Sequence, residues 1–426
     1  KNMMHTLMKN AMLVPLITVT FYFFGWWIYF GFQNGPGITG GWIAAAWAQP
    51  WNELMGMHLG GRPHDSNLAA ADTAALARIN GVFWGAFLLF AWTSGSILSG
   101  AVIERIRSSA FWLFAVVVGS VTWVIDASWG WSADGWMVQI LGYHDAYASG
   151  VVHGVCGGSA LAILYHLGPR IGRFGPDGKA RNFPPHNTWL VIIGLFLIYT
   201  GFWGFYAACN VPILDIDPSD ARTFFSATTI YLTPTTLSGV TLNFLMSLAG
   251  GMIAAYYVSK GDPYWTFSGG LAGVITASAG NDLYHPLQAH LVGGFGAFCV
   301  YKLHFWVERK FKIDDAVGAV AVHGYAGTIG VILAGFLLWG FPSSPNESYA
   351  AITPWGQTVG AIIMFFGLGF LPCFVMGFVL KKMGILRIPE QVELAGMDHL
   401  VIQAESEEAQ EIVNQELREV RKEGES

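Results

Sequence analysis

Residues 145–157 read Asp145-Ala-Tyr-Ala-Ser-Gly-Val-Val-His153-Gly-Val-Cys-Gly157, and residues 315–327 read Asp315-Ala-Val-Gly-Ala-Val-Ala-Val-His323-Gly-Tyr-Ala-Gly327. Both have the form Asp-x7-His-Gly-x-x-Gly, and the two histidines are 170 residues apart. Four fixed residue types at four matching offsets are not a chance product, even in a chain with 53 glycines. Each motif opens an apolar run long enough to cross a bilayer. Eight residues at a rise of about 1.5 Å carry each histidine roughly 12 Å along its helix, near the middle of a hydrocarbon core about 30 Å thick.

The composition around the motifs agrees with a lipid setting. Of 426 residues, 53% are hydrophobic and only 12% charged, against about 25% charged in a soluble domain. Mean hydropathy is +0.46. So little polar material cannot coat a water-soluble globule of this size. A soluble multidomain enzyme, a nucleic-acid binder and a disordered chain are excluded, and the net charge of −6 leaves no basic face for phosphates. The fold class is therefore all-α and polytopic. Ten spans are expected, at about 9–32, 79–103, 109–127, 146–166, 188–208, 223–258, 266–280, 287–306, 315–340 and 354–380. They are continuous and rich in glycine, unlike the period-two strands of a membrane barrel.

The connections alternate in charge, and this sets direction. Arg105 and Arg107, Arg170 to Arg181, Lys260, Arg309 to Lys312, and Lys381 to Arg387 fall on one side. The intervening loops 128–145, 209–221, 281–286 and 341–353 hold almost no Lys or Arg, and the long first one carries only Arg62 and Arg78. The positive-inside rule places the basic set, residue 1 and the C-terminus in the cytoplasm. The helix of His153 then enters from outside and that of His323 from inside. Related motifs on oppositely directed helices mark an inverted repeat, whose interface is where such proteins place a substrate.

Two neutral imidazoles at the midplane can share one hydrogen bond and still offer a guest one donor or one acceptor, without a fixed charge in low dielectric. The glycines one and four residues after each histidine permit the close helix approach this requires. The competing reading is two satisfied core histidines. A metal site lacks a third ligand at suitable spacing. His58, His64, His144, His166, His186, His285, His304 and His399 fall in loops or near helix ends and need no special role. Asp145 can act at a distance on a cation at the outer mouth or cap its helix, and Asp314-Asp315 reads mainly as a cap. Cys156, Cys209, Cys299 and Cys373 are widely spaced packing residues. Residues 1–385 form the membrane domain and 386–426 a cytoplasmic tail, its stretch 405–422 reading as a charged helix.

These residues resemble the ammonium transporter family (the Amt, MEP and Rh proteins), and Amt members more than Rh ones. The resemblance rests on Asp145…His153 and Asp314-Asp315…His323, with Gly100-Ala-Val-Ile-Glu-Arg-Ile-Arg107 at a helix end. Gly168-Pro-Arg-Ile-Gly-Arg-Phe174 before Pro185-His-Asn187, Arg387-Ile-Pro-Glu390 and Gly396-Met-Asp398 add to it. It implies eleven helices in two inverted five-helix halves plus one. Ten are visible here, so Lys1, which is not an initiating methionine, is expected to follow a first helix. It also implies a homotrimer with one narrow pore per subunit, carrying ammonium or ammonia with no cofactor. Trp129, with Asp145 and Phe90, would form the outer recruitment site. Phe87, Phe90 and Tyr231 would gate the pore, and His153 and His323 would line it. The tail and inner loops would be where a PII-type regulator docks.

Several positions depart from the family. Ala146-Tyr-Ala-Ser149 replaces an aromatic followed by a glycine pair, Phe205-Tyr206 replaces Phe-Asn, and Pro234 is expected to kink the 223–258 helix. The leading function is ammonium transport across a bacterial or archaeal inner membrane. The alternatives are an ammonium sensor on the same scaffold, a neutral-gas channel, and a metalloenzyme built on buried histidines.

Overall fold

The computed structural model describes residues 2–32, 71–132, 134–212, 226–231 and 233–398. Among them are ten long helices. In chain order these are α1 (3–31), α2 (Ala71–Ala101), α3 (Ser108–Gly130), α4 (Ser149–Leu167) and α5 (Thr188–Ala208), then α6 (Leu237–Val258), α7 (Pro263–Ala277), α8 (Pro286–Phe311), α9 (Val320–Leu337) and α10 (Pro354–Lys382). Seven are long and apolar enough to cross a membrane. Their starts carry local signals. The Asn187 side chain accepts from Leu190 N, Asp262 precedes Pro263 and accepts from Trp265 N, and Thr353 precedes Pro354 and accepts from Gly356 N. Each satisfies a backbone donor that a helix leaves orphaned.

One span differs from the sequence reading. The described part of 223–258 is not a single helix. Ser226–Thr229 (β2) pairs antiparallel with both Asn210–Pro212 (β1) and Pro234–Thr236 (β3), and α6 begins only at Leu237. The run Ser226-Ala-Thr-Thr-Ile-Tyr-Leu-Thr-Pro234 is apolar enough to mimic a membrane helix. Its β-branched residues favour strands, however, and the residue before a proline is steered out of the helical region. Thr236 then caps α6 through Gly239 N. Pro234 therefore kinks no helix. It is exposed on a ribbon, so Pro234→Ala is expected to shift stability by no more than about 0.5–1 kcal/mol. Thermal unfolding in detergent checks this, and a larger loss would restore a role for the proline.

The connections segregate to two ends. At the basic end, Arg105, Arg170, Arg173, Glu308 and Asp314 meet. The segment 386–398 packs onto the same end. Ile388 N donates to Arg105 O, Arg387 bonds Glu393 and the Leu167 carbonyl, and Met397 N donates to Asn2 Oδ1. Residues 399–426, the rest of the expected tail, lie outside the described residues, as do Arg62, His58, His64 and His399. At the far end, Gln139 meets Tyr349, His144 meets Gln357, and Asn243 bonds the carbonyls of Asn281 and Tyr284. Helix α4 is the centre of the bundle, with 89% of its most apolar stretch buried against 28% for α5. Trp189, Leu190, Ile193, Phe196 and Leu197 of α5 face outward. That pattern fits an exterior in contact with lipid tails.

Candidate functional site

The two motifs meet. Nδ1 of His153 lies 3.0 Å from Nδ1 of His323, with ring centroids 5.1 Å apart. The approach is permitted by the motif glycines. A Cβ on Gly157 would stand 2.1 Å from the Cα of Gly324, and one on Gly327 would stand 2.0 Å from the Ser149 carbonyl oxygen. Only one proton fits between two nitrogens at hydrogen-bond distance. The donor ring therefore has a bare Nε2 and the acceptor ring carries Nε2–H, so the pair presents one acceptor and one donor. Nε2 of His153 is buried and makes no hydrogen bond in the structure.

Each motif aspartate sits at the start of its histidine helix in the same way. Asp145 accepts from Ser149 N at 2.6 Å, Gly150 N at 2.7 Å and Val151 N at 2.9 Å. Asp315 accepts from Ala321 N at 3.2 Å. Val151 and Ala321 both lie two residues before a histidine, so the inverted repeat extends to the caps. Charge at the positive end of a helix is favourable, yet burial dominates. It raises the Asp145 carboxyl above its usual range and pushes that of Asp315 up to about 7, against the pull of the bonded N–H groups. Asp314 does not cap. It receives the Arg170 backbone N–H and guanidinium instead.

Phe87 and Phe90 are neighbours, with centroids 5.9 Å apart. Tyr29, Trp123, Trp131 and Phe205 pack around them. Phe90 lies 4.2 Å from Phe205 and 5.0 Å from Trp131, and Phe205 in turn lies 6.3 Å from His153. A run of aromatic faces thus leads from the far end to the histidine pair. Sequence reading singled out neither Trp131 nor Phe205 as lining it. The Phe205-Tyr206 pair, already marked as a departure, was the available signal. Trp129 packs edge-on against Trp136 at 5.7 Å, at the end of α3. Tyr231 lies in the turn between β2 and β3. Its hydroxyl donates to the Gly130 carbonyl at 2.6 Å and accepts from Asp145 N at 3.0 Å. It braces the far end, whereas Phe205 is the ring against Phe90. All four cysteines are free, and no group of three or more potential metal ligands occurs among the described residues.

A mostly helical membrane chain with two inverted motifs joined at buried histidines defines a channel or transporter of inverted-repeat design. The chain belongs to the Ammonium Transporter Family, whose model matches residues 1–407. It is 28% identical to the ammonium transporter Amt2 of Archaeoglobus fulgidus, over 93% of this chain and 80% of that one. It is 31% identical to Amt1 of Methanocaldococcus jannaschii, over 76% of each chain. Among solved structures, its fold matches a sensor Amt protein with a TM-score of 0.63 at 22% identity, over 94% of this chain and 97% of that one. It also matches Saccharomyces cerevisiae Mep2 with a TM-score of 0.62 at 17% identity, over 90% and 82%. It is an integral membrane protein of a transporter family.

Proposed function

We propose that the protein moves ammonium across a membrane by recruiting the cation at an aromatic outer site, removing its proton and passing ammonia by His153 and His323. The observation that carries this reading is the 3.0 Å contact between the two Nδ1 atoms. Aromatic faces attract a cation, and Phe90, Phe87 and Trp131 supply them, with Trp129 and the field of Asp145 nearer the far end. A bare charge at the midplane costs several kcal/mol, and giving up the proton removes that cost. The bare Nε2 of one imidazole accepts a proton. Its shared Nδ1 proton crosses to the partner ring, which releases its own Nε2 proton. The net result is one proton taken up and one released.

The basic end faces the cytoplasm on this reading, and the protein is a homotrimer of a cell inner membrane with a pore in each subunit. Segment 386–398, folded onto that end, leads into the tail where a PII-type regulator would dock. The family and the Amt1 and Amt2 relatives support transport over sensing.

The test is ammonium-evoked current from purified protein in proteoliposomes on a solid-supported membrane, beside a His153→Ala, His323→Ala double variant. Wild type is expected to give a current that the double variant loses or alters. Absence of both current and ammonium-driven internal pH change from intact wild-type protein would overturn transport and favour a sensor. Internal pH change without current would indicate neutral ammonia passage.

A further inference from the structure

Both histidine helices are anchored at their starts by a charged contact with the opposite half. The residue that makes it is in each case the one immediately before the capping aspartate. At the basic end this is Asp314, which precedes Asp315 and pairs with Arg170, the third residue after α4. At the far end it is His144, which precedes Asp145. Its Nε2 lies 3.0 and 3.1 Å from the two carboxylate oxygens of Asp282, in the turn between α7 and α8. Both side chains of this far-end pair are buried, at 0% and 1% exposure.

The surroundings make the far-end contact a clasp between halves. Gln357 of α10 accepts from His144 N and donates to the His144 carbonyl. Ala146 N and Tyr147 N donate to the carbonyls of Ala279 and Ser278, beyond the end of α7. The Tyr231 ring lies 4.9 Å from the imidazole, while its hydroxyl holds Asp145 N. The short segment that sets where α4 begins, and so where His153 stands, is thus held by side chains from three other elements. The two clasps differ in chemistry. Arginine keeps its charge at every physiological pH, whereas an imidazole does not.

We infer that His144 and Asp282 are positioning residues for transport: their ion pair fixes the start of α4 against the second half, and deprotonation of His144 loosens it. The inference rests on the transport reading above.

The groups around the imidazole set the direction. Burial alone would lower the His144 pKa. The charge and hydrogen bond of Asp282 outweigh it, with smaller contributions from the Ser343 backbone and Asp145, and raise it above 6.5. Tyr231 from the ribbon, with Tyr147 and Tyr284 near Asp282, completes the titratable surroundings. A raised folded pKa means that the clasp is present below pH 6.5 and lost as pH rises through the higher folded value.

The experiment compares His144→Gln and Asp282→Asn with wild type as ratios of transport rate at each pH, which cancels the titration of ammonium itself. Displacing His153 by a fraction of an ångström is expected to cost roughly ten- to hundredfold. The His144→Gln ratio should therefore be lowest at acid pH and approach one at alkaline pH, where wild type has also lost its clasp. A ratio independent of pH in correctly assembled protein would overturn the inference. Histidine C2-hydrogen exchange, read by mass spectrometry on unmodified protein, needs neither a folded variant nor transport. It should show His144 titrating above 6.5, and a midpoint at or below 6.5 would equally overturn the proposal. Because that readout is independent of flux, failure of the clasp and failure of the transport reading are separable.

Discussion

A single methyl group added at Gly157 is expected to reduce transport by more than about tenfold. The built Cβ would lie 2.1 Å from the Gly324 Cα and 2.3 Å from its backbone nitrogen. Both obstacles are main chain of α9 and cannot swing aside as a side-chain tip would. Helices α4 and α9 must separate at the residue next to His323, and the 3.0 Å bond between the imidazoles does not survive such a shift. Overpacking of this kind typically costs about 1–3 kcal/mol, so Gly157→Ala should also unfold at a lower temperature. Gly194 provides the control, since a Cβ there meets nothing within 4 Å. Gly194→Ala should keep wild-type flux and gain up to about 1 kcal/mol from helix propensity. Flux from Gly157→Ala equal to that of the control would mean that the imidazole contact is dispensable for transport.

The second large effect is on stability. Asp314 is buried at 2% exposure and takes three hydrogen bonds from Arg170, while the Arg105 guanidinium bonds its carbonyl at 2.7 Å. Asp314→Ala strips the anion from Arg105 and one of the anions from Arg170 and Arg173, which keep Glu104 and Glu308. Breaking one side of a buried ion pair costs about 3–5 kcal/mol, because the remaining charge is neither solvated nor matched. The pH dependence has a definite sign. Burial would raise the Asp314 carboxyl, but Arg170 and Arg105 outweigh it and hold it below 3.8. The contribution is therefore complete above pH 3.8 and fades as pH falls through the lower folded value. Thermal unfolding of wild type and Asp314→Asn across this range checks it. Their difference should stay constant near neutrality and narrow in acid, and a difference that grew in acid would contradict the assignment.

Local reading recovered most of the helices because membrane insertion is itself a local test. An apolar run of sufficient length is helical in lipid whatever its neighbours, since no other open-chain conformation satisfies its backbone. It failed at 226–236, where hydropathy was right but conformation was not. There, Ile230 and Tyr231 are buried by packing against the far end rather than by a membrane helix. The gate role of Tyr231 comes from the family resemblance rather than from that helix, and in the ribbon its hydroxyl bonds Gly130 and Asp145.

The paired motifs at 145–157 and 315–327 determined the inverted repeat, the opposed helices and the central histidines. Each is a pattern within about a dozen residues, and charge alternation in the loops supplied the direction. Tertiary structure alone decided which aromatic rings meet Phe90 and what pairs with Asp314 and His144. Phe90 and Phe205, or His144 and Asp282, are more than a hundred positions apart in the chain. Their contact is fixed by how whole helices pack, and no local pattern of hydropathy or propensity encodes such a distance.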